Sequence, residues 1–254
     1  MRSIWVLLVV GVLAGCQTTP LEDPNDAKTA GVLAPDVIRR QLKGTSDMLM
    51  ERVAKGEISD DEFKQYIAKR ANELLADLPL DKVDPAKAWE YGEVLRTAQR
   101  WPQAKQALLI AVQVAEKSKD EDRYINDLLR LAHAEAMMGD VKEGIATASK
   151  TLTATPGGSA PILPGILLEF VPAARGKGQD AALAELLEKA IEKHMATVVD
   201  PNTEPGQMFL AARPHHVRNA WRTVIDLFAK AGKDEDAKQA LGRSESMLGT
   251  MRRV

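Results

Sequence analysis

One cysteine and four histidines are the residues of this chain best suited to nucleophilic or metal chemistry. Cys16 closes the run Leu13-Ala14-Gly15-Cys16. A free thiolate is a nucleophile and a soft metal ligand. His133-Ala134-Glu135 sets an imidazole two positions from a carboxylate. With that spacing a histidine can hold zinc while a glutamate moves the proton, but the site also needs paired cysteines. A single cysteine cannot supply them. His215 and His216 are adjacent. On a helix they diverge by about 100°, so they do not chelate one ion together. His194 follows Glu192 and Lys193 and reads as a solvated side chain. Gly157-Gly158 and Gly176-Lys177-Gly178 lack the Lys-Ser/Thr that completes a phosphate-cradling loop. Ser159, in Gly158-Ser159-Ala160, is not in a nucleophile elbow. The carboxylates read as charged helix faces, and no pair stands out as a hydrolase dyad. These patterns call for no catalytic residue, cofactor or metal.

The elements that carry these residues are helical. Ala, Leu, Lys, Glu and Gln are abundant and are strong helix formers, aromatic residues are 4% of the chain, and no sustained apolar alternation marks a strand. Ser59-Asp60-Asp61-Glu62 is a capping box ahead of Phe63, Tyr66, Ile67, Leu74 and Leu75 at helical spacing. Asp84-Pro85 gives an N-cap and a first-turn proline, and Pro102 repeats the first-turn signal. Gly139-Asp140 and Gly232-Lys233-Asp234 each read as a helix stop followed by a start. Thr155–Pro164 and Val199–Pro214, rich in Pro and Gly, read as breaks in the rhythm. The pattern predicts about ten helices, and short turns force consecutive helices antiparallel. The formal net charge of −2 gives no basic footprint for nucleic acid.

At the N-terminus, Arg2 precedes a short apolar run, Ile4 to Leu13, and small residues follow. That order fits an export signal. The run falls short of the roughly 20 apolar residues a spanning helix needs. Leu13-Ala14-Gly15-Cys16 resembles the lipobox of bacterial lipoproteins. The resemblance implies cleavage before Cys16, diacylglycerol on its sulfur and acylation of the new amino group. Two or three chains anchor stably where one binds marginally. Gln17 in place of Asp leans towards the outer membrane, with the body facing the periplasm. Residues 1–15 are then a signal peptide and 16–31 a polar tether. Residues 32–84 hold N-terminal helices.

The remainder, 85–254, carries a degenerate repeat. The tetratricopeptide signature is a helix-turn-helix of about 34 residues with small and aromatic slots at fixed places. From Pro85, Gly92 takes the helix A glycine slot, Ala104 the helix B alanine, Leu108 the aromatic slot and Ala111 the next small one. From Ile125, Gly139 is at the turn, Gly144 replaces the helix B alanine and Pro156 ends the repeat. From Arg218, Trp221 and Phe228 fill aromatic slots, Gly232 is at the turn, and Ala237 and Leu241 follow. A weaker window from Pro164 to Met195 uses Gly178 and Ala190, with Pro172 placed to kink its helix A. No window has the whole signature, and the spacings between windows exceed the family's. The chain resembles tetratricopeptide proteins, which implies an all-α fold of antiparallel helix pairs stacked as a TPR-like α-solenoid.

In that family the concave face is lined by helix A. Carried over, it comprises Trp89, Glu93 and Arg96; then Asn126, Leu129, His133 and Met137; then Asn219, Arg222, Asp226 and Lys230. Each set recurs at three or four, which puts it on one helix face. Mixed charge with apolar anchors suits a peptide or protein segment better than a polyanion. The expected role is a non-enzymatic, lipid-anchored scaffold for an envelope protein or peptide. Two other roles stay open: an envelope enzyme with a site in one of the Pro-rich stretches, and a periplasmic ligand-binding component of a transporter.

Overall fold

The computed structural model describes residues 35–75, 84–153 and 163–251. Ten α-helices run through them: α1 Pro35–Ala54, α2 Asp60–Leu74, α3 Ala88–Thr97, α4 Trp101–Ser118, α5 Glu121–Met137, α6 Val141–Ser149, α7 Leu163–Ala174, α8 Asp180–Ala196, α9 Glu204–Lys230 and α10 Asp234–Met251. Short 3-10 turns, Pro85–Lys87 and Lys150–Leu152, precede α3 and follow α6. Among the described residues there is no strand. Cys16 and Pro156 lie outside them, as does most of the Thr155–Pro164 stretch.

Local chemistry sets the helix ends. Ser59 caps α2, accepting from the Glu62 amide while the Glu62 carboxylate accepts from the Ser59 amide. Asp84 accepts from the Ala86 amide, with Pro85 in the turn that leads into α3. Pro102 lies in the first turn of α4, where its missing N–H costs nothing. Gly139 and Gly232, both at positive φ, stop α5 and α9 in a conformation that glycine adopts without a Cβ clash.

Each helix packs against the next, and α1, α3, α5, α7 and α9 also pack in series. Two apolar cores result, and α5 contributes to both. One gathers Ile38, Leu42, Ala71 and Leu75 with Tyr91, Leu95, Leu108 and Leu131. The other joins Leu167 and Phe170 to Leu187, Ile191, Trp221 and Phe228. The helices before residue 84 thus share a core with those after it. Burying each such Leu or Phe contributes about 1.5–3 kcal/mol over leaving it exposed. α7 is apolar almost all round because α5, α6, α8 and α9 all touch it. It runs unbroken through Pro172, where burial of Phe170, Val171, Ala173 and Ala174 around it outweighs the one backbone bond the proline removes.

Small residues set two close approaches. A Cβ on Gly92 would lie 2.6 Å from Leu108 Cγ, so α3 and α4 meet where the glycine has no side chain. A Cβ on Gly144 would lie 2.8 Å from the Ala132 carbonyl oxygen and 3.3 Å from Phe170. Ala104, Ala107, Ala111 and Ala115 line the buried side of α4.

Three expectations need correction. The stretch Val199–Pro214 is not simply a break, since helix begins at Glu204 and passes through Pro214. Thr203 caps it through the Gly206 amide, and Pro205 sits in its first turn. Burial of Phe209 and Val217 on either side outweighs the one hydrogen bond Pro214 removes. His194 is not solvated but fully buried, because it is on the inner side of α8 with Leu187, Ala190 and Ile191. Leu241, assigned to a packing slot, is 47% exposed. α10 ends the packed series, lying chiefly on α9 and tied to α8 through Arg243 and Glu188, and Leu241 is on a side that these contacts leave uncovered.

Candidate functional site

α3 presents Trp89, Glu93 and Arg96 at helical spacing, and α5 presents Asn126, Leu129, Arg130 and His133. Because α3, α5 and α7 pack in series, these faces meet. Glu93, Arg96, Asn126, Leu129, Arg130 and His133 line a cavity of about 340 Å³, closed on its other side by Ile166, Glu169 and Phe170 of α7.

Glu93 organises the polar wall. Its Oε1 accepts from Arg96 Nη1 at 2.5 Å and lies 2.8 Å from Arg130 Nε. Arg130 also donates to Asp127 at 3.1 Å. Asp127 is completely buried, with Arg123 Nη2 3.8 Å from its other oxygen. Burial raises the Asp127 carboxyl above its usual range, while Arg130 and Arg123 pull it down without reversing the shift. Trp89 lies half-buried beside this network. The guanidinium carbons of Arg39, Arg130 and Arg123 stand 4.5, 5.6 and 5.7 Å from its ring centre. Such contacts stabilise by about 0.5–2 kcal/mol each, depending on desolvation.

His133 lies against Trp101, with ring centres 5.5 Å apart. Burial lowers its pKa to about 4, Arg96 and Lys177 add to the shift, and Glu93 opposes it. The imidazole is therefore neutral at pH 7, able to donate from one nitrogen and accept at the other. Its Nδ1 and the Arg96 Nε are buried without a hydrogen-bond partner.

A second cavity of about 730 Å³ adjoins this one, with Glu93 in the walls of both. Leu42, Phe63, Ile67 and Val94 give it an apolar floor, and Arg39 and Arg40 stand on its rim. A third, of about 740 Å³, is built from other elements around Lys105, Asp140 and Lys177.

The structure thus brings Glu93, Arg96, Asn126, Leu129 and His133 to one place and sets Trp89 beside it. Met137 lies on α5 one turn beyond His133, 40% exposed. The α9 set lines none of the three cavities. Asp226 is ion-paired with Arg175 and lies 3.6 Å from Lys230. Asn219 shares a 3.0 Å hydrogen bond with His215, and Arg222 is exposed. The rings of His215 and His216 meet edge to face at 5.5 Å. Arg130, Asp127, Ile166, Glu169 and Phe170 were not singled out from sequence. For Asp127 a signal exists: arginines four before and three after it can both reach its carboxylate.

Among the described residues no group of three or more His, Cys, Asp or Glu side chains is placed to hold a metal ion. No described helix is long and apolar enough to cross a membrane. The cavity offers guanidinium donors, the carboxylates of Glu93 and Glu169, one amide, one neutral imidazole and apolar side chains. That set suits hydrogen bonding and apolar contact with a bound segment.

No family model matches the chain, and no curated protein does. Among solved structures it is similar to the crystal structure of BtubC (BKLC) from P. vanneervenii, with a TM-score of 0.43 and 12% identity. The match covers 86% of this chain and 82% of that one.

Proposed function

We propose that this chain is a lipid-anchored envelope lipoprotein that acts as a protein-interaction scaffold. In this reading its helices stack as antiparallel pairs into a TPR-like α-solenoid, with α1, α3, α5, α7 and α9 along the binding side. The observation that carries it is the cavity of about 340 Å³, where one face of α3 and one face of α5 converge with α7. The order of packing, next neighbour plus every second helix, supports the stacked arrangement. The partner is a peptide or protein segment of the envelope, and the chemistry requires no cofactor.

In-cell cross-linking from a photoreactive residue at Asn126, with identification of the captured protein, tests the surface. Replacing Glu93, Arg96 and His133 together by Gln, Gln and Asn should lower recovery of that partner at least tenfold, with the far-ultraviolet circular dichroism unchanged. Unaltered recovery would reject this face. The anchor is tested apart from it. Cys16→Ser should abolish labelling by radioactive fatty acid and release the protein from the membrane fraction, and persistent labelling would refute the assignment.

A further inference from the structure

His194 is a completely buried imidazole with neither ring nitrogen hydrogen-bonded. What covers it is a short piece of chain. Its ring packs against Phe209, centre to centre at 4.6 Å. Among residues 204–213 only Gly206 and Phe209 are buried. The Arg213 guanidinium carbon stands 5.0 Å from the centre of the same phenyl ring, and Arg213 donates to the Thr197 carbonyl at 2.7 Å. The start of this piece is tightly folded. Thr203 Oγ1 donates to the Asp200 carbonyl, and a Cβ on Gly206 would lie 1.9 Å from that oxygen. Its end is Pro214, which has no N–H to return to the carbonyl four residues back and so leaves a weak point inside α9.

The charges around His194 oppose its protonation. From α9 it faces Arg213 and His216, and His216 in turn meets His215. On its own helix, Lys193 turns away to the Leu152 carbonyl after α6. Burial first, then Arg213 and His216, lowers the His194 pKa to about 4. No carboxylate is among the groups acting on it.

We propose that residues 197–213 are an acid-released strap, docked through Phe209 while His194 is neutral and undocked about Pro214 when His194 takes up a proton. The sign follows from linkage. The docked form favours the neutral ring, so docking is at full strength above about pH 6.5 and weakens as pH falls towards about 4. In that interval the opening constant should rise roughly tenfold per pH unit. Release would add Phe209 to Met208 and Leu210, already 67% and 38% exposed.

Hydrogen exchange of the full chain at pH 7.5 and pH 5, corrected for intrinsic rates, tests this. Protection within 207–213 should fall more than tenfold at the lower pH, while that within 217–227 changes less than twofold. In His194→Leu, which cannot take a proton, the local loss should vanish. An equal loss in His194→Leu, an equal loss throughout α8 and α9, or no loss would each overturn the proposal. Should His194→Leu fail to fold, Phe209→Ala decides. It should open 207–213 at pH 7.5 as far as acid opens the parent, and retained protection would overturn the idea.

Discussion

The two cores flank α5 and treat their ionisable groups in different ways. On the α3 side, Asp127 is buried between two arginines, and Glu93 joins Arg96 to Arg130 at the wall of an open cavity. On the α8 side, His194 is buried with no polar partner and is covered by Phe209. A carboxylate can stay charged in a protein interior only when it is paired and hydrogen-bonded. An imidazole can be buried neutral, and the cost appears only when a proton arrives. The first arrangement places fixed charge where a partner can meet it. The second is dry at neutral pH and responds to acid.

The largest effects should come from the dry side. Leu187 is fully buried in the C-terminal core. Leu187→Ala should cost about 2–5 kcal/mol in chemical denaturation, as the transfer and cavity terms add. A loss below about 1 kcal/mol would mean that this core is loosely packed and the contrast is mistaken. At the seam between the cores, Gly144→Ala puts a methyl group against the Ala132 carbonyl. Backbone cannot move aside as a side chain can, so about 1–3 kcal/mol should be lost. Gly92→Ala meets only the Leu108 side chain and should cost less.

Next in size is the charged side. Asp127→Asn keeps the shape but removes the charge from between Arg123 and Arg130. Those side chains are 33% and 26% exposed, so water can take over part of their solvation. Burial outweighs both arginines in the Asp127 shift, so the charge itself adds no net stability, and the substitution should change stability by less than about 1 kcal/mol. A thermal or denaturant measurement showing a larger loss than Leu187→Ala would place the greater dependence on the polar side instead.

These contrasts also mark what could be read before the fold was known. Helix ends were legible because they rest on neighbours in sequence: Ser59 with Glu62, Asp84 with Pro85, and the glycines at 139 and 232. The small residues at Gly92 and Gly144 were legible as places of close approach. His194 was legible only in part: it continues the α8 stripe of Leu187, Ala190 and Ile191, whereas Phe209 and Arg213, which close over it from α9, leave no mark near Glu192-Lys193-His194. Val199–Pro214 misled for a related reason. Pro205 and Pro214 look alike in sequence, yet one lies in the first turn and the other is carried by packing on both sides. At the candidate site, the α3 and α5 positions came from the tetratricopeptide resemblance, and helical spacing added only that each set shares one face. The α7 wall was not legible, since an almost wholly apolar helix does not show in sequence which of its sides borders a cavity. Asn219, Arg222 and Asp226 had the same kind of spacing as the others, but spacing within one helix cannot say which cavity that helix borders.

The smallest effect concerns His133, a half-buried imidazole on the charged side. Its pKa is lowered to about 4, first by burial and then by Arg96. Folding therefore favours the neutral ring, and the stability this contributes is present above about pH 6.5 and lost as pH falls towards about 4. Arg96→Gln removes the charge but leaves the burial, so the pKa should rise by only a few tenths of a pH unit, followed by the ring proton shifts in nuclear magnetic resonance. Glu93→Gln removes the one opposing charge and should move it the other way. His194, with neither group beside it, should not respond to either substitution. A shift of His194 in step with His133 would mean that the two sides are electrostatically coupled through α5, and the division between a charged side and a dry one would fail.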